Sequence, residues 1–207
     1  MKHHLLGLYD SPYVRRVAIA MKHYGIEFSH ESLSVFRHIP EMRPKNPLLR
    51  VPQLTTPDGV QLHESAFILD YLDELARAAG HAGLVPLAGS VRREIWQATA
   101  MAQAAADKAV AIAYEFRRPE ALRWVDWLER LREQLRTACG LLEGQLVDEW
   151  LVGERMSHAD IMAAVAVGFV RFVLPGEWPE GAFPRVEGLA ARLEATAPFR
   201  AVPIDAT

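Results

Sequence analysis

Tyr9-Asp10-Ser11-Pro12-Tyr13-Val14 decides how the first half of this chain is read. Just upstream, Leu5-Leu6-Gly7-Leu8-Tyr9 is a short apolar run suited to a buried strand. Ser11 is a preferred N-cap and Pro12 fits the first helical position, so a helix opens directly behind that strand. Val14, Val17, Ala18 and Met21 recur at helical spacing until Gly25 closes the element. The stretch therefore puts a hydroxyl at a helix N-terminus. Unpaired N–H groups and roughly half a positive charge there favour an anion, or a thiol about to become one.

Outward from that point the pattern alternates between strand and helix. Residues 27–35 predict a second strand, and residues 38–47 hold three prolines, which permit only a short irregular helix. Residues 51–55 and 60–62 read as two strands around a Pro57-Asp58-Gly59 turn. Ser65 opens a helix with Ile68, Leu69, Leu72 and Leu75 on one face and Asp70, Asp73 and Glu74 on the other. The order is β-α-β-α-β-β-α. Residues 80–89 are rich in breakers and read as a linker. Helices are expected beyond it at 91–117, 120–146, 157–174 and 186–197. The second of them carries an apolar stripe of Leu128, Leu131, Leu135, Cys139 and Leu142, and Ser157 with Asp160 forms a capping box at the third. The expected division is an α/β domain over residues 1–79, the linker, and an all-α domain over residues 90–207.

Composition narrows the chemistry. The 207 residues carry 23 Lys+Arg against 26 Asp+Glu, a net charge of −3 without the basic surplus that nucleic acid requires. The single cysteine excludes an intrachain disulfide framework, a CxxC pair and a multi-cysteine zinc site, and its place on an apolar stripe reads as core. His3-His4 lacks further ligands at metal spacing and reads as a surface pair, so no metal is expected. Arg15-Arg16 and Arg117-Arg118 read as solvated helix ends. The longest apolar run, residues 161–170, is about half of the ~20 residues of a membrane span. No targeting segment is visible at the N-terminus, so no membrane partner and a cytoplasmic location are expected.

Four motifs in order carry a resemblance. Ser11-Pro12-Tyr13-Val14 is similar to the Cys-Pro-Tyr-Cys of glutaredoxins, with serine at the nucleophile and valine at the resolving position. Asn46-Pro47-Leu48-Leu49-Arg50-Val51-Pro52-Gln53-Leu54, Glu64-Ser65 and Ser157-His158-Ala159-Asp160-Ile161 complete the set. Together they resemble the cytosolic glutathione transferases, more specifically a bacterial serine-type member, over nearly the whole chain. The fold implied is a thioredoxin-like α/β N-terminal domain followed by an all-α helical-bundle C-terminal domain.

The resemblance implies a transferase that stabilises the thiolate of glutathione for attack on a small hydrophobic electrophile, as in detoxification. The alternatives are a glutathione-dependent peroxidase or reductase, or a non-catalytic ligand-binding or regulatory relative. Ser11 is implied as the hydrogen-bond donor to the glutathione sulfur, with Tyr9 as its rival. A cis Pro52 would leave the backbone of Val51 free to pair with the ligand peptide, as in strand addition. Glu64 and Ser65 match the head group of an amino acid, and Arg50, with His38 as second candidate, suits the glycine carboxylate. Tyr13, Tyr114, Phe116 and Trp124 are candidate walls of the second-substrate pocket. A homodimer is implied as well.

Overall fold

In a computed structural model, which describes residues 2–204, the chain leaves its first strand at Gly7. Strand β1 (His3–Leu6) is shorter than the apolar run that marks it, because Gly7 adopts φ +130° and turns the backbone out of the sheet. Helix α1 (Pro12–His23) follows, with Ser11 as its N-cap. Strand β2 (Phe28–Glu31) returns parallel to β1, and helix α2 (Ile39–Met42) is the short element that the prolines permit. Strands β3 (Gln53–Thr55) and β4 (Gln61–His63) form an antiparallel hairpin on the other side of β1, giving the order β2-β1-β3-β4. Helix α3 (Ser65–Ala78) closes this thioredoxin-like arrangement.

One face of the sheet is read directly from register. Leu5 and Leu54 are paired across β1 and β3 and fully buried, and His3, two residues from Leu5, shares that face. There His3 Nε2 meets the Tyr71 hydroxyl of α3 at 3.0 Å. This corrects the surface reading of His3-His4: His3 is buried, and His4 bonds Ser29 Oγ at 3.0 Å and Glu31 Oε2 at 3.2 Å.

The later helices are α4 (Ser90–Phe116), α5 (Val125–Gln145), α6 (His158–Val173), α7 (Pro184–Glu194) and α8 (Ala197–Arg200). Helix α8 was not expected as a separate element, and α5 and α7 differ in their bounds. Helix α5 starts at Val125 rather than at residue 120, because residues 120–122 form a separate 3-10 turn and Glu115 Oε1 accepts the Trp124 N–H at 3.1 Å just before the helix. Helix α7 stops at Glu194, since Pro198 cannot continue it and instead enters the first turn of α8.

The chain divides into two compact units: residues up to Gly83 together with those from Thr196 onward, and Leu84–Ala195. The C-terminal segment thus groups with the α/β part rather than with the helices. Arg15 shows why. Its Nε donates to the Val202 carbonyl at 2.9 Å, and its guanidinium lies 5.6 Å from the Phe199 ring centroid. Arg15 and Arg16 are 2% and 1% exposed, so the expectation of a solvated pair is wrong.

Within the second unit, α4 packs against α5 and α6. The predicted stripe of Leu128, Leu131, Leu135, Cys139 and Leu142 is buried, and α6 is buried along almost its whole length. The capping box is present: Asp160 accepts from the Ser157 N–H at 2.8 Å and from its hydroxyl at 2.7 Å. It also accepts from the Leu151 N–H at 2.8 Å, which ties the preceding loop to the helix start. Burial pushes the Asp160 carboxyl above its usual range, against the pull of these bonds.

The burial of His3 makes stability depend on pH. Burial lowers the His3 pKa in the folded chain, whereas the unfolded chain protonates near pH ~6.5. The unfolded state therefore binds more protons below that value, and the contribution of His3, present above it, is lost as pH falls through the folded pKa. The urea midpoint of the wild-type chain should fall between about pH 7.5 and about pH 5.5 by more than that of His3→Phe. Parallel profiles would remove this assignment.

Candidate functional site

Gly7 brings the site together. A Cβ built on this residue would lie 2.6 Å from Val14 Cγ2 and 2.8 Å from Val51 Cβ, so the turn after β1 touches both the start of α1 and the segment before β3. No side chain fits there, and φ +130° favours glycine as well. The strand end, the helix start and Val51 meet because one residue lacks a Cβ.

Ser11 caps α1 from this turn, with φ −70° and ψ 122°, and its Oγ accepts the Val14 N–H at 3.5 Å. That bond is at the outer limit of length, so the hydroxyl proton and a lone pair are available to a ligand. No acidic residue lies in the first turn of α1 to offset the positive helix end. Tyr9, the rival, is buried, and its ring lies flat on the His30 imidazole with centroids 3.9 Å apart and planes within 3°. The His30 Nε2–H donates to the Gly7 carbonyl at 2.6 Å, fixing the turn from below.

The Val51–Pro52 peptide bond is cis. The β3 ladder begins at Gln53, so the backbone of Val51 stands outside it. Asn46, fully buried, shapes the approach: its Nδ2 donates to the Arg50 carbonyl and its Oδ1 accepts the Leu48 N–H at 3.2 Å. This leaves the Arg50 side chain 78% exposed, with Nη2 3.7 Å from Glu64 Oε2. A pair so open to water holds neither partner firmly. His38 lies farther along the same segment, where its Nδ1 accepts the Ser34 N–H at 3.0 Å. This bond explains its position without a ligand.

Glu64 and Ser65 form the second polar centre. Glu64 has φ +67° and ψ 112°, a left-handed backbone that costs a non-glycine residue on the order of 1 kcal/mol and is held only where neighbours demand it. It turns the chain from β4 into α3, whose first N–H groups have no intrahelical acceptor. Ser65 is 1% exposed; its Oγ accepts from Arg16 Nη2 at 2.5 Å, and its hydroxyl reaches Glu64 Oε1 at 3.5 Å. Ser11, Val51, Glu64, Ser65 and Arg50 thus all belong to the first unit. It offers two helix N-termini, an unpaired strand edge, a carboxylate and an arginine. Such a set can hold an extended peptide with charged ends and a thiol.

The four aromatic candidates divide between the units. Tyr13, half-buried on α1, lies with its ring 6.0 Å from the Arg16 guanidinium. In the second unit, Tyr114 is half exposed at the end of α4 and Trp124 is 65% exposed, stacked on Trp127 with centroids 6.3 Å apart. Phe116 is half-buried beneath Arg123 and Arg132, at 5.1 and 6.0 Å, so it serves the α4–α5 connection. An open cleft of about 490 Å³ in the same unit, lined by Arg93, Glu94, Gln97, Gln145, Leu151, Val152 and Gly153, includes none of them.

Other groups are set aside on chemical grounds. Cys139 is buried and its thiol is pushed up to about 12 by desolvation, so it stays protonated and unreactive at neutral pH. Among the described residues no three His, Cys, Asp or Glu side chains are grouped to hold a metal, and no helix is long and apolar enough to cross a membrane.

Sequence reasoning missed Gly7, His30, Asn46 and Arg16 as parts of this site. For Arg16 a signal existed. Residues 12–21 contain no charged side chain besides the two arginines, so this helix has no polar face to turn to water. For His30 none existed, because its contact with Tyr9 depends on the parallel return of β2.

Comparison with known proteins agrees with this fold. The chain matches "Glutathione S-transferase, N-terminal domain" over residues 5–80 and "Glutathione S-transferase, C-terminal domain" over residues 125–192. It is 32% identical over 174 residues to the uncharacterized GST-like protein YibF of Escherichia coli strain K12, covering 83% of this chain and 85% of that one. A glutathione S-transferase from Methylobacterium radiotolerans, solved with glutathione sulfonate, superposes with TM-score 0.90 at 27% identity, covering 100% of this chain and 97% of the other. One from Methylobacillus flagellatus, solved with glutathione, gives TM-score 0.90 at 25% identity over 99% and 100%.

Gly7→Ala should cost about 2–4 kcal/mol in urea unfolding, whereas Gly59→Ala, at φ +90° with open space around it, should cost about 1 kcal/mol. Equal losses would show that the close approach to Val14 and Val51 is not what requires glycine.

Proposed function

The chain belongs to the glutathione S-transferase family, and we propose that it activates glutathione for attack on a small electrophile. The observation that carries this reading is the Ser11 hydroxyl at the N-terminus of α1, in the same unit as the Val51 backbone and the Glu64-Ser65 start of α3. In this reading the γ-glutamyl ammonium meets Glu64 and its carboxylate meets Ser65 and the α3 N-terminus. The cysteinyl backbone pairs with Val51 as an added strand. Arg50 takes the glycine carboxylate, with His38 as the lesser candidate.

Ser11 does not ionise. It donates to the sulfur and, with the helix end, lowers the thiol pKa. From a reference near 8.5, about 3% of a thiol is thiolate at pH 7, and a two-unit drop raises this to about 75%. That ~25-fold gain needs about 2.7 kcal/mol of preference for the charged form. The burial of Tyr9 against His30 favours Ser11 for this contact. A redox role through a protein thiol is disfavoured, since positions 11 and 14 hold serine and valine and Cys139 is buried. The electrophile would meet the sulfur beside Tyr13, which stands on α1 in the same unit as Ser11. A cytoplasmic homodimer is the expected working form. A non-catalytic glutathione binder is the competing reading, and it predicts retention on a glutathione column without thiolate formation.

Ser11→Ala should lower turnover of a test electrophile by about 10- to 25-fold, with KM for glutathione changed by less than about 3-fold. The thiolate absorbance of bound glutathione should titrate higher in the variant, by up to about two units. Unchanged turnover would move the role to Tyr9. Wild-type protein that retains glutathione but forms no thiolate below about pH 8 would sink the catalytic reading.

A further inference from the structure

The reading above gives Arg16 no role, yet Arg16 is placed under the group that would meet the γ-glutamyl carboxylate. We propose that Arg16 is a positioning residue that selects ligands bearing that α-carboxylate, acting through the hydroxyl of Ser65. The inference rests on the glutathione reading of the site.

The chemistry lies in how a serine hydroxyl shares its one proton. A guanidinium carries only donors and stays charged at every relevant pH, while a hydroxyl has one proton and two lone pairs. Arg16 Nη2 donates to Ser65 Oγ at 2.5 Å, so the Ser65 proton is turned away from Arg16 and toward another acceptor. In the structure that acceptor is Glu64 Oε1 at 3.5 Å, the long end of hydrogen-bond range. A ligand carboxylate at the α3 N-terminus offers a better acceptor. By accepting the hydrogen bond of the Ser65 hydroxyl, it releases Glu64 to face the ligand ammonium. The two halves of an amino-acid head group are thus recognised by one rearranged bond.

Burial gives the arrangement its strength. Arg16 and Ser65 are each 1% exposed, so their interaction is little screened by water, and donation from a charged group polarises the hydroxyl into a stronger donor. An apolar side chain could fill the space between α1 and α3 with no charge to desolvate. The guanidinium supplies what such a side chain lacks, a permanent donor fixed under Ser65. Its place on α1, five residues beyond Ser11, also puts the sulfur and carboxylate ends of the ligand site on one rigid element.

The test compares two tripeptides by calorimetric titration: glutathione, and the analogue with 4-aminobutyryl in place of γ-glutamyl, which keeps the amine and lacks the α-carboxylate. Arg16→Gln should weaken glutathione on the order of 10-fold and the analogue by less than about 2-fold. A merely structural role would weaken both alike, and equal loss or no loss overturns the proposal. If the Gln variant does not fold, Arg16→Lys carries the same comparison. It keeps the charge without the planar fork, and a selective loss of about 3-fold is expected, with equal loss again fatal. Wild-type protein that binds neither tripeptide would instead remove the glutathione reading itself.

Discussion

Between residues 12 and 21 helix α1 is covered on nearly every side, yet it carries two arginines, and much of the first unit is arranged around this conflict. A buried guanidinium must find acceptors within the protein, because its desolvation costs several kcal/mol otherwise. Arg15 finds the Val202 carbonyl and the Phe199 ring, which explains why the chain's last described segment packs with the α/β part. Arg16 finds the Ser65 hydroxyl, which ties α1 to the first residue of α3. The same helix presents Ser11 at its N-terminus, held by a turn that only glycine at position 7 can make. The burial of α1 thus links its cap, the start of α3 and the C-terminal segment.

The electrostatics of the first unit follow from that linkage. Two helix N-termini, those of α1 and α3, and the buried Arg16 supply positive potential, while Glu64 alone at the α3 start supplies a carboxylate. Its left-handed backbone is the kind of local cost that persists where the geometry is used. The exposed Arg50–Glu64 pair contributes little to stability and leaves both side chains open to water. The second unit is built differently. Its polar groups, such as Asp160 with Ser157 and Leu151, are consumed by caps and loop anchors, and its cysteine is sealed in an apolar stripe. At the end of α4 and the start of α5 it exposes Tyr114 and Trp124 beside Leu122 and Val125.

Reading from the residues succeeded where the signal was local. Ser11-Pro12 marks a helix start in any fold, the stripe on α5 has the period of a helix, and Ser157 with Asp160 is a capping box whatever surrounds it. It failed where the deciding partner is far away along the chain. The solvated reading of Arg15-Arg16 depended on adjacent charges, whereas their partners lie 187 and 49 residues on. His3 looked like surface because its partner, Tyr71, belongs to a helix that packs across the sheet. Pro198 ended α7 by a local rule that was legible and overlooked.

By itself the sequence determined the order of strands and helices, the cap at Ser11, the turn at Gly59 and the absence of a reactive cysteine pair, because each depends on backbone preference or composition over a few residues. Only the tertiary structure decided that Tyr9 lies under His30, that Val51 touches Gly7, and that Arg16 stands beneath Ser65. Those three depend on how β2 returns, where β3 joins β1, and how α1 meets α3. Contacts of this kind are set by the packing of whole elements, which no local pattern of residues encodes.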